Sequence, residues 1–400
     1  MVFSWLAIRR RARRAPLDIS VFEQVMETGD VAACRKLADQ LLDFANDPAT
    51  PPEERRLVMQ VLARLACHPV REVRAHLAER AMTAPELDPE VVFAIAGDEE
   101  DISLPFIRRA ACMTPLLQEA IFRAGDLKRR RALCERENVS PKVVSLALES
   151  GIRALVTAVL ENAHASLPAD LARQTYVRFR QDEEVIAALL ARPDLPLEVR
   201  LAHVEVVSGR LREVMNRSEW RSARRAVEVT SDLEEQALVE ILADAKTEEE
   251  LHTAFRFLTR RGRLTAAVLL RAACAGHVAV LVHALAWLAR TKPARLIAAM
   301  QPDASLGVVR TTLARAGLPH GADALALAVM LAARARGPEV AQPGACLPGF
   351  GALVLETLAE TDHLSVAEKM QATGMLQRVG DAHTRELAGR FLQSLLRHAA

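Results

Sequence analysis

The sequence predicts an all-α fold in which pairs of helices stack into an α-solenoid. Between residues 86 and 204 one motif occurs five times, a proline followed by the apolar start of a helix. The prolines are 26, 26, 27 and 28 residues apart: Pro89, Pro115, Pro141, Pro168 and Pro196. A period of this length fits one helix pair per unit, and a single pair is too small to bury its own apolar face. The chain has no alternating apolar and polar run of strand length, which favours helices throughout.

The residues around each proline predict where the helices begin and end. Proline is tolerated in the first helical turn, where its missing N–H would have no partner, and it ends the helix before it. An N-cap acceptor precedes the first three prolines: Asp88, Thr114 and Ser140. A glycine that can adopt the left-handed conformation follows each of these prolines and would end the first helix: Gly97, Gly125 and Gly151. The second helices are then predicted at 98–110, 126–136, 152–162 and 182–191.

The segments before the repeats also predict helices. Residues 17–45 have the pattern of an amphipathic helix pair, broken near Gly29, and the turn residues at 46–52 indicate a loop. Two further helices are expected over 53–81, where Leu57, Val61, Leu62 and Leu65 lie on one face.

Beyond Thr230 the spacing of the elements changes. Capped helix starts are expected at Ser231 and Thr247. The most apolar segment, 264–289, is predicted to form two ordinary helices rather than a membrane span, because it contains charged and histidine side chains and is divided at Ala275–Gly276. Further helices are expected at 293–300, 305–316 and 321–336.

These patterns divide the chain into five regions. They are a basic segment with helices at 1–52, a repeat solenoid at 53–229, further helical repeats at 230–336, a linker at 337–351 and closing helices at 352–400. The proline and glycine content of the linker predicts a flexible loop. We expect the closing helices either to cap the stack or to mediate self-association.

The charge of the chain gives no general argument for nucleic-acid binding, because its net value is only +1. Two local groups of cations form a candidate basic binding surface: Lys128, Arg129, Arg130 and Arg131, and Arg210, Arg217, Arg221 and Arg224. The spacing of the second group predicts one shared helix face. The alternative for both groups is a solvated or salt-bridged helix. For the first group, the acidic run 98–101 stands one repeat earlier and offers partners.

The N-terminal 15 residues combine apolar side chains with five arginines and no acidic residue. This composition predicts a candidate membrane contact formed by Phe3, Trp5, Arg9, Arg10, Arg11, Arg13 and Arg14. The alternatives are a frayed end and a first helix that docks on the solenoid. The segment is not expected to be a secretory signal, because its apolar residues precede the arginines.

Motifs for catalysis and for cofactor binding are not found in the sequence. It has no glycine-rich phosphate loop, no His-Glu-x-x-His and no Gly-x-Ser-x-Gly. The six cysteines are scattered singly, and we expect buried, reduced thiols. The eleven histidines are isolated along the chain, and His277 and His283 have a poor spacing for one helical metal site. We therefore expect no catalytic residue, no cofactor and no metal site.

Two runs of the chain resemble a known family. Arg-Ala-Leu-Cys-Glu-Arg-Glu-Asn-Val-Ser-Pro at 131–141 and Ala-Leu-Leu-Ala-Arg-Pro-Asp-Leu-Pro at 188–196 look like a family of uncharacterised HEAT-like repeat proteins of alphaproteobacteria. The segments 269–277, 284–290 and 315–319 are similar to the C-terminal part of that family. The resemblance covers roughly residues 55–336. It implies a bacterial, cytoplasmic α-solenoid and no established activity, so no functional residue can be carried over.

Together these observations predict HEAT-like helix pairs in a right-handed superhelical stack with terminal capping helices. The expected function is that of a non-enzymatic scaffold or adaptor that binds a protein partner along the solenoid surface. The first alternative is a peripheral protein at the inner membrane, anchored by residues 1–15. The second, less favoured, is nucleic-acid binding through the basic helix faces.

Overall fold

The computed structural model describes Val25 and residues 30–217, 223–301, 303–319 and 321–399. In this part of the chain all regular structure is helical, with 22 α-helices, one short 3₁₀ helix and no strand. The predicted all-α class is therefore confirmed. The contacts divide the molecule into two compact units, with the boundary between Leu195 and Pro196. None of the described helices is long and apolar enough to cross a membrane.

The described residues of the first unit form eleven α-helices. They are α1 (Val31–Asn46), α2 (Pro52–Ala66), α3 (Arg71–Ala81), α4 (Pro89–Ala96), α5 (Glu100–Arg109), α6 (Pro115–Ala124), α7 (Leu127–Cys134), α8 (Pro141–Ser150), α9 (Arg153–Glu161), α10 (Ala169–Phe179) and α11 (Glu183–Leu190). From α4 onward every predicted helix is present, and the ends differ from the predicted ones by one or two residues.

The helices of this unit pack in two successive rows. The even-numbered helices α2 to α10 contact one another in sequence, and so do the odd-numbered helices α1 to α11. The two helices of each repeat contact each other as well. Buried residues at helical spacing supply the contacts, as in α8, where Val143, Val144, Ala147 and Leu148 are all buried.

The predicted helix caps are present in some repeats and absent in others. Pro89, Pro115 and Pro141 each occupy the first helical position. The hydroxyls of Thr114 and Ser140 accept hydrogen bonds from Leu117 N and Val143 N, respectively, whereas Asp88 makes no such bond.

The predicted left-handed stop is formed by only one of the three glycines. Gly151 adopts a φ of 68° at the end of α8. Gly97 and Gly125 have φ values of −87° and −74°. Those two helices instead end with an amide hydrogen bond to the last turn, so a left-handed residue is not required there.

A row of polar side chains joins consecutive repeats, and we call it the cap ladder (Arg136, Asn162 and Arg192). Each follows the second helix of its repeat and donates to C-terminal carbonyls of the preceding repeat. Arg136 donates to Ile107 O and to Ala110 O, the latter at 2.8 Å.

The other two members of the cap ladder repeat this pattern. Asn162 donates to Cys134 O at 2.8 Å and to Arg136 O at 2.6 Å. Arg192 donates to Asn162 O at 3.0 Å and to Ala165 O at 2.6 Å. Because helix C-termini leave carbonyls without intrahelical partners, the cap ladder satisfies groups that would otherwise be buried unpaired.

The second unit contains the remaining helices. They are α12 (Leu197–Arg217), α13 (Ala223–Ala243), α14 (Glu248–Arg260), α15 (Ala266–Cys274), α16 (Val278–Leu288), α17 (Pro293–Ala298), α18 (Gly307–Ala316), α19 (Ala322–Arg334), the 3₁₀ helix (Pro338–Ala341), α20 (Phe350–Glu360), α21 (Val366–Val379) and α22 (Ala382–Ala399). The sequence placed a border between 229 and 230, but α13 runs continuously across those positions.

The core of the second unit is built around α15, α16 and α19. All residues of α15 from Ala267 to Cys274 are buried, as are those of α16 from Val278 to Ala286. These two helices are separated at Ala275–Gly276, as the sequence predicts. Their all-round burial explains the apolar composition of 264–289 without a membrane.

The segment 337–351 is packed rather than loose. It contains the 3₁₀ helix, in which Val340 and Ala341 are buried. Leu347 N donates to Gly276 O at 3.1 Å. The proline and glycine content indicated a flexible loop. The 3₁₀ helix of this segment instead contacts α16, and this contact holds the segment in place.

Candidate functional site

The first group of predicted basic residues lies on α7 and is engaged within the protein. Lys128 Nζ is 2.6 Å from a carboxylate oxygen of Glu100. Arg129 pairs with Asp126 at 2.6 Å and donates to Ala96 O at 2.8 Å. The contacts with Glu100 and Ala96 join α7 to the preceding repeat, whereas Asp126 is the N-cap of α7 itself.

The other two cations of this group contact nearer neighbours. The guanidinium of Arg130 lies 5.6 Å from the centre of the Phe122 ring. Arg131 pairs with Glu135 at 2.8 Å, and Glu135 also accepts from Arg108 at 2.7 Å. Both arginines hold the pKa of the Glu135 carboxyl below its ordinary value, although burial acts in the opposite direction. All four predicted cations therefore have a partner inside the molecule.

Similar ion pairs join other repeats. Arg74 Nε lies 2.8 Å from an oxygen of Asp98, and its Nη2 lies 2.9 Å from Glu99. Further along, Arg153 on α9 pairs with Glu184 and Asp182 at the start of α11. The cations on α7 thus belong to a repeated pattern in which a second helix pairs with the one before or after it.

The second predicted basic group does not lie on a single helix. Arg210 and Arg217 belong to α12, whereas Arg224 lies in α13 after residues 218–222. Arg221 falls outside the described residues. Arg217 is 80% exposed and is 3.6 Å from Glu213. Arg210 is exposed and makes no ion pair with the described residues.

One face of α12 exposes apolar and basic side chains together. Val207, Arg210, Val214 and Arg217 recur at intervals of three and four residues, so they share a helix face. Val207 and Val214 are 46% and 58% exposed. We call this the α12 face.

Large apolar side chains are also exposed on the first helices of the repeats. Phe93 on α4 is 41% exposed, Leu116 on α6 is 79% exposed and Val177 on α10 is 69% exposed. Leu146 on α8 is half-buried at a comparable position. Each position can be counted from the proline that precedes its helix, with a rotation of about 100° per residue. On this count the four residues fall within an arc of about 140° of the helix circumference. We call this set the apolar row (Phe93, Leu116, Leu146 and Val177).

The predicted membrane contact of residues 1–15 lies outside the described residues. It includes Phe3, Trp5 and the five arginines between positions 9 and 14.

A cleft of about 630 Å³ in the second unit is lined mainly by α13, α15 and the turn before α22. Its polar groups are already used in the fold. Arg271 pairs with Asp232 at 3.0 Å and with Glu235 at 3.1 Å. Asp381 accepts from Thr384 N at 2.7 Å and so caps α22, which lowers the pKa of its carboxyl.

The second unit also brings together three metal-ligating side chains. Glu248 and His252 are one turn apart on α14, and His283 lies on α16, which packs on α14. One ligand atom from each residue lies within 4.8 Å of the others. The histidine rings are 6.5 Å apart, and the His252 ring is 5.5 Å from that of Trp287.

The sequence pattern did not indicate this cluster, because the histidines are isolated along the chain. His252 and His283 are far apart in the chain and meet only through the packing of α14 on α16. The available signal was the Glu248–His252 pair, since residues four apart share one helix face.

Comparison with known proteins identifies one family. The model of a family described as "uncharacterised protein conserved in bacteria" (DUF2336) matches residues 102–345, more than half of the chain. No curated protein and no solved structure gives a significant match. The matched range overlaps most of the segment whose motifs resemble a bacterial helical-repeat family. The chain therefore belongs to this conserved bacterial family, DUF2336.

Proposed function

We propose that this protein is a non-enzymatic helical-repeat scaffold that binds a protein partner along the surface of its repeats. In this proposal the helix pairs of the first unit form a HEAT-like α-solenoid with a right-handed superhelix. The two successive rows of helices support it, because in a solenoid each repeat contacts its neighbours.

The apolar row carries the proposal. Leu116 and Val177 are more than two-thirds exposed, although each has apolar neighbours on its own helix that are buried. We propose that these side chains form one exposed apolar patch, and contiguous patches of that kind mark protein-binding surfaces.

The test compares three versions of the full chain as baits in cells that express them at native level. They are the natural sequence, the double variant Leu116→Asp and Val177→Asp, and the control Gln174→Asp. Gln174 is exposed on α10 like Val177, so the control introduces the same carboxylate without removing an apolar side chain.

We expect the natural chain and the control to retain one reproducible protein partner that the double variant loses. Circular dichroism and the thermal midpoint should be unchanged, since both substituted side chains are exposed. Equal recovery by the double variant would show that the apolar row is not the binding surface. Failure to recover any reproducible partner would contradict the scaffold function itself.

Nucleic-acid binding is a second candidate, and only the α12 face favours it, because Arg210 there is exposed and makes no ion pair with the described residues. It predicts binding that weakens steeply with salt and is lost in the double variant Arg210→Glu and Arg217→Glu. No binding to duplex or single-stranded DNA or RNA at low salt would exclude it.

Membrane association through residues 1–15 would be located at the inner membrane, whereas the scaffold alone would be cytoplasmic. Deletion of residues 1–15 should then move the protein out of the membrane fraction. Equal membrane fractions for the two chains would remove this alternative.

A further inference from the structure

The Glu248, His252 and His283 cluster has no role in the proposed scaffold function. It combines two imidazoles and one carboxylate, the donor set that binds zinc in many proteins. We propose that these three side chains bind a divalent transition-metal ion, with Zn²⁺ as the expected ion. The site would join α14 to α16 across the core of the second unit.

The geometry of the cluster is close to that of a bound site. Ligand atoms at about 2.1 Å from a tetrahedral zinc ion are about 3.4 Å apart. His252 Nε2 and Glu248 Oε1 are already 3.7 Å apart. One ligand atom from each residue lies within 4.8 Å of the others, so these atoms need to approach by at most about 1.4 Å to reach the spacing of zinc ligands.

The hydrogen bonding of His283 prepares it as a ligand. The ring is 2% exposed, and its Nε2 lies 3.3 Å from Ala341 O. A carbonyl oxygen only accepts, so Nε2 carries the hydrogen and Nδ1 has a free lone pair. Nδ1 is buried and has no hydrogen-bond partner.

A bound metal ion would supply the partner that Nδ1 lacks. Metal-bound histidines usually donate their other ring N–H to a carbonyl or carboxylate, which fixes the ring orientation. The bond to Ala341 O is of this kind. A buried nitrogen without any partner is otherwise costly, because it has lost its hydrogen bond to water.

The site is open to solvent on one side. The side chains of Glu248 and His252 are 52% and 31% exposed, so an ion can enter from the surface. The ring of Trp287 packs against His252 and restricts its orientation. Three protein ligands leave one position of a tetrahedral zinc ion for water.

The competing interpretation needs no metal. A glutamate and a histidine four residues apart on an exposed helix face form a simple ion pair when the histidine is protonated, and a single buried water can satisfy Nδ1. This interpretation predicts no stoichiometric binding of metal, so a direct measurement separates the two.

The experiment uses the full chain, purified without a histidine tag and freed of metal by a chelator. Zn²⁺ is titrated in competition with a chromophoric chelator, and Co²⁺ is added separately to record its visible absorption. We expect one Zn²⁺ per chain and the intense bands of four-coordinate Co²⁺. The thermal midpoint should rise with Zn²⁺, because the ion binds the folded state.

Two variants locate the site without disturbing the core. His252→Ala and Glu248→Gln each remove one partly exposed ligand. Loss of a ligand should weaken Zn²⁺ binding by more than about 100-fold, since loss of a mere supporting partner costs 10–100-fold. The matched control is His164→Ala, which removes an exposed histidine of the first unit and should bind like the natural chain.

Three results would overturn the proposal. They are binding of much less than one ion per chain, unchanged affinity in both ligand variants, and an equal loss of affinity in His164→Ala. The last two would assign the bound ion to scattered surface histidines.

Discussion

At the scale of single residues, the side chains of the cap ladder donate hydrogen bonds to carbonyls at helix C-termini, as a helix cap would. Arg136 is 4% exposed, and burial lowers the pKa of its guanidinium. A buried cation is costly unless it is well hydrogen-bonded. The carbonyls of Ile107 and Ala110 provide those bonds, and each carbonyl in turn gains a donor.

Replacement of Arg136 by methionine should therefore destabilise the first unit. The variant keeps most of the apolar stem but leaves two buried carbonyls unpaired, and we expect a loss of about 3 kcal/mol in the free energy of unfolding. Chemical denaturation followed by circular dichroism measures it. The matched control is Arg109→Met, an exposed arginine, which should cost less than about 0.5 kcal/mol. Equal stabilities of the two variants would contradict a structural role of the cap ladder.

The cysteines should differ sharply in reactivity. Burial raises the pKa of the Cys134 and Cys274 thiols to about 12, and it also raises that of Cys112. A raised pKa keeps the thiol protonated at pH 8, and the protonated form is not a nucleophile. Cys67 and Cys346 are exposed.

We therefore expect two thiols per native chain to react rapidly with a disulfide reagent at pH 8, and all six to react after denaturation. Peptide mapping should assign the rapid pair to Cys67 and Cys346. Rapid labelling of Cys134 or Cys274 in the native chain would contradict the packing of the helices that bury them.

At the scale of the element, the helices of the repeats were predictable because their signals are local. Proline is favoured in the first helical turn, so its position in the sequence indicates a helix start. Asp88 lies at the N-cap of α4 but makes no side-chain cap bond, and Gly97 and Gly125 end their helices without the left-handed conformation. The residue types allow these caps, but the two helices already end with a hydrogen bond to their own last turn and do not require them.

The cluster of Glu248, His252 and His283 could not be predicted, because it depends on the packing of helices that are distant in the sequence. Glu248 and His252 are close in the sequence, but His283 joins them only because α14 packs on α16. The packed state of 337–351 is also a tertiary effect, since Leu347 is held by a hydrogen bond to the backbone of Gly276.

Gly276 should be irreplaceable at the turn between α15 and α16. Its φ is 102°, and a β-carbon there would lie 2.3 Å from Leu347 O. We expect Gly276→Ala to lower the free energy of unfolding by about 2–4 kcal/mol. Gly209→Ala is the matched control, because that helical glycine has open space around it and alanine there should stabilise by about 0.5–1 kcal/mol. Thermal unfolding of both variants gives the comparison, and the same sign for both would contradict it.

At the scale of the whole molecule, the chain contains two compact units that meet in sequence between Leu195 and Pro196. The family match at 102–345 spans residues of both units, so the family is not defined by either unit alone. The sequence placed its border at 229–230, inside α13, because the spacing of the predicted elements changes there.

A fragment of residues 196–400 should therefore fold by itself. The second unit has its own buried core around α15, α16 and α19, and we expect helical circular dichroism with one cooperative thermal transition. A fragment that starts at residue 230 removes α12 and cuts α13. It should unfold at a lower temperature, and a higher midpoint for this shorter fragment would contradict the border at 195–196.

The direction of the cap ladder has a consequence for biosynthesis. Each of its side chains reaches back over 26 to 33 residues to carbonyls that the ribosome has already released. Translation proceeds at about 5–20 residues per second, so the interval between synthesis of a carbonyl and synthesis of its donor is roughly 1 to 7 s. The most recently synthesised repeat therefore lacks these hydrogen bonds until the next repeat has emerged. A pause in translation at that point prolongs the exposure of this repeat to chaperones and proteases.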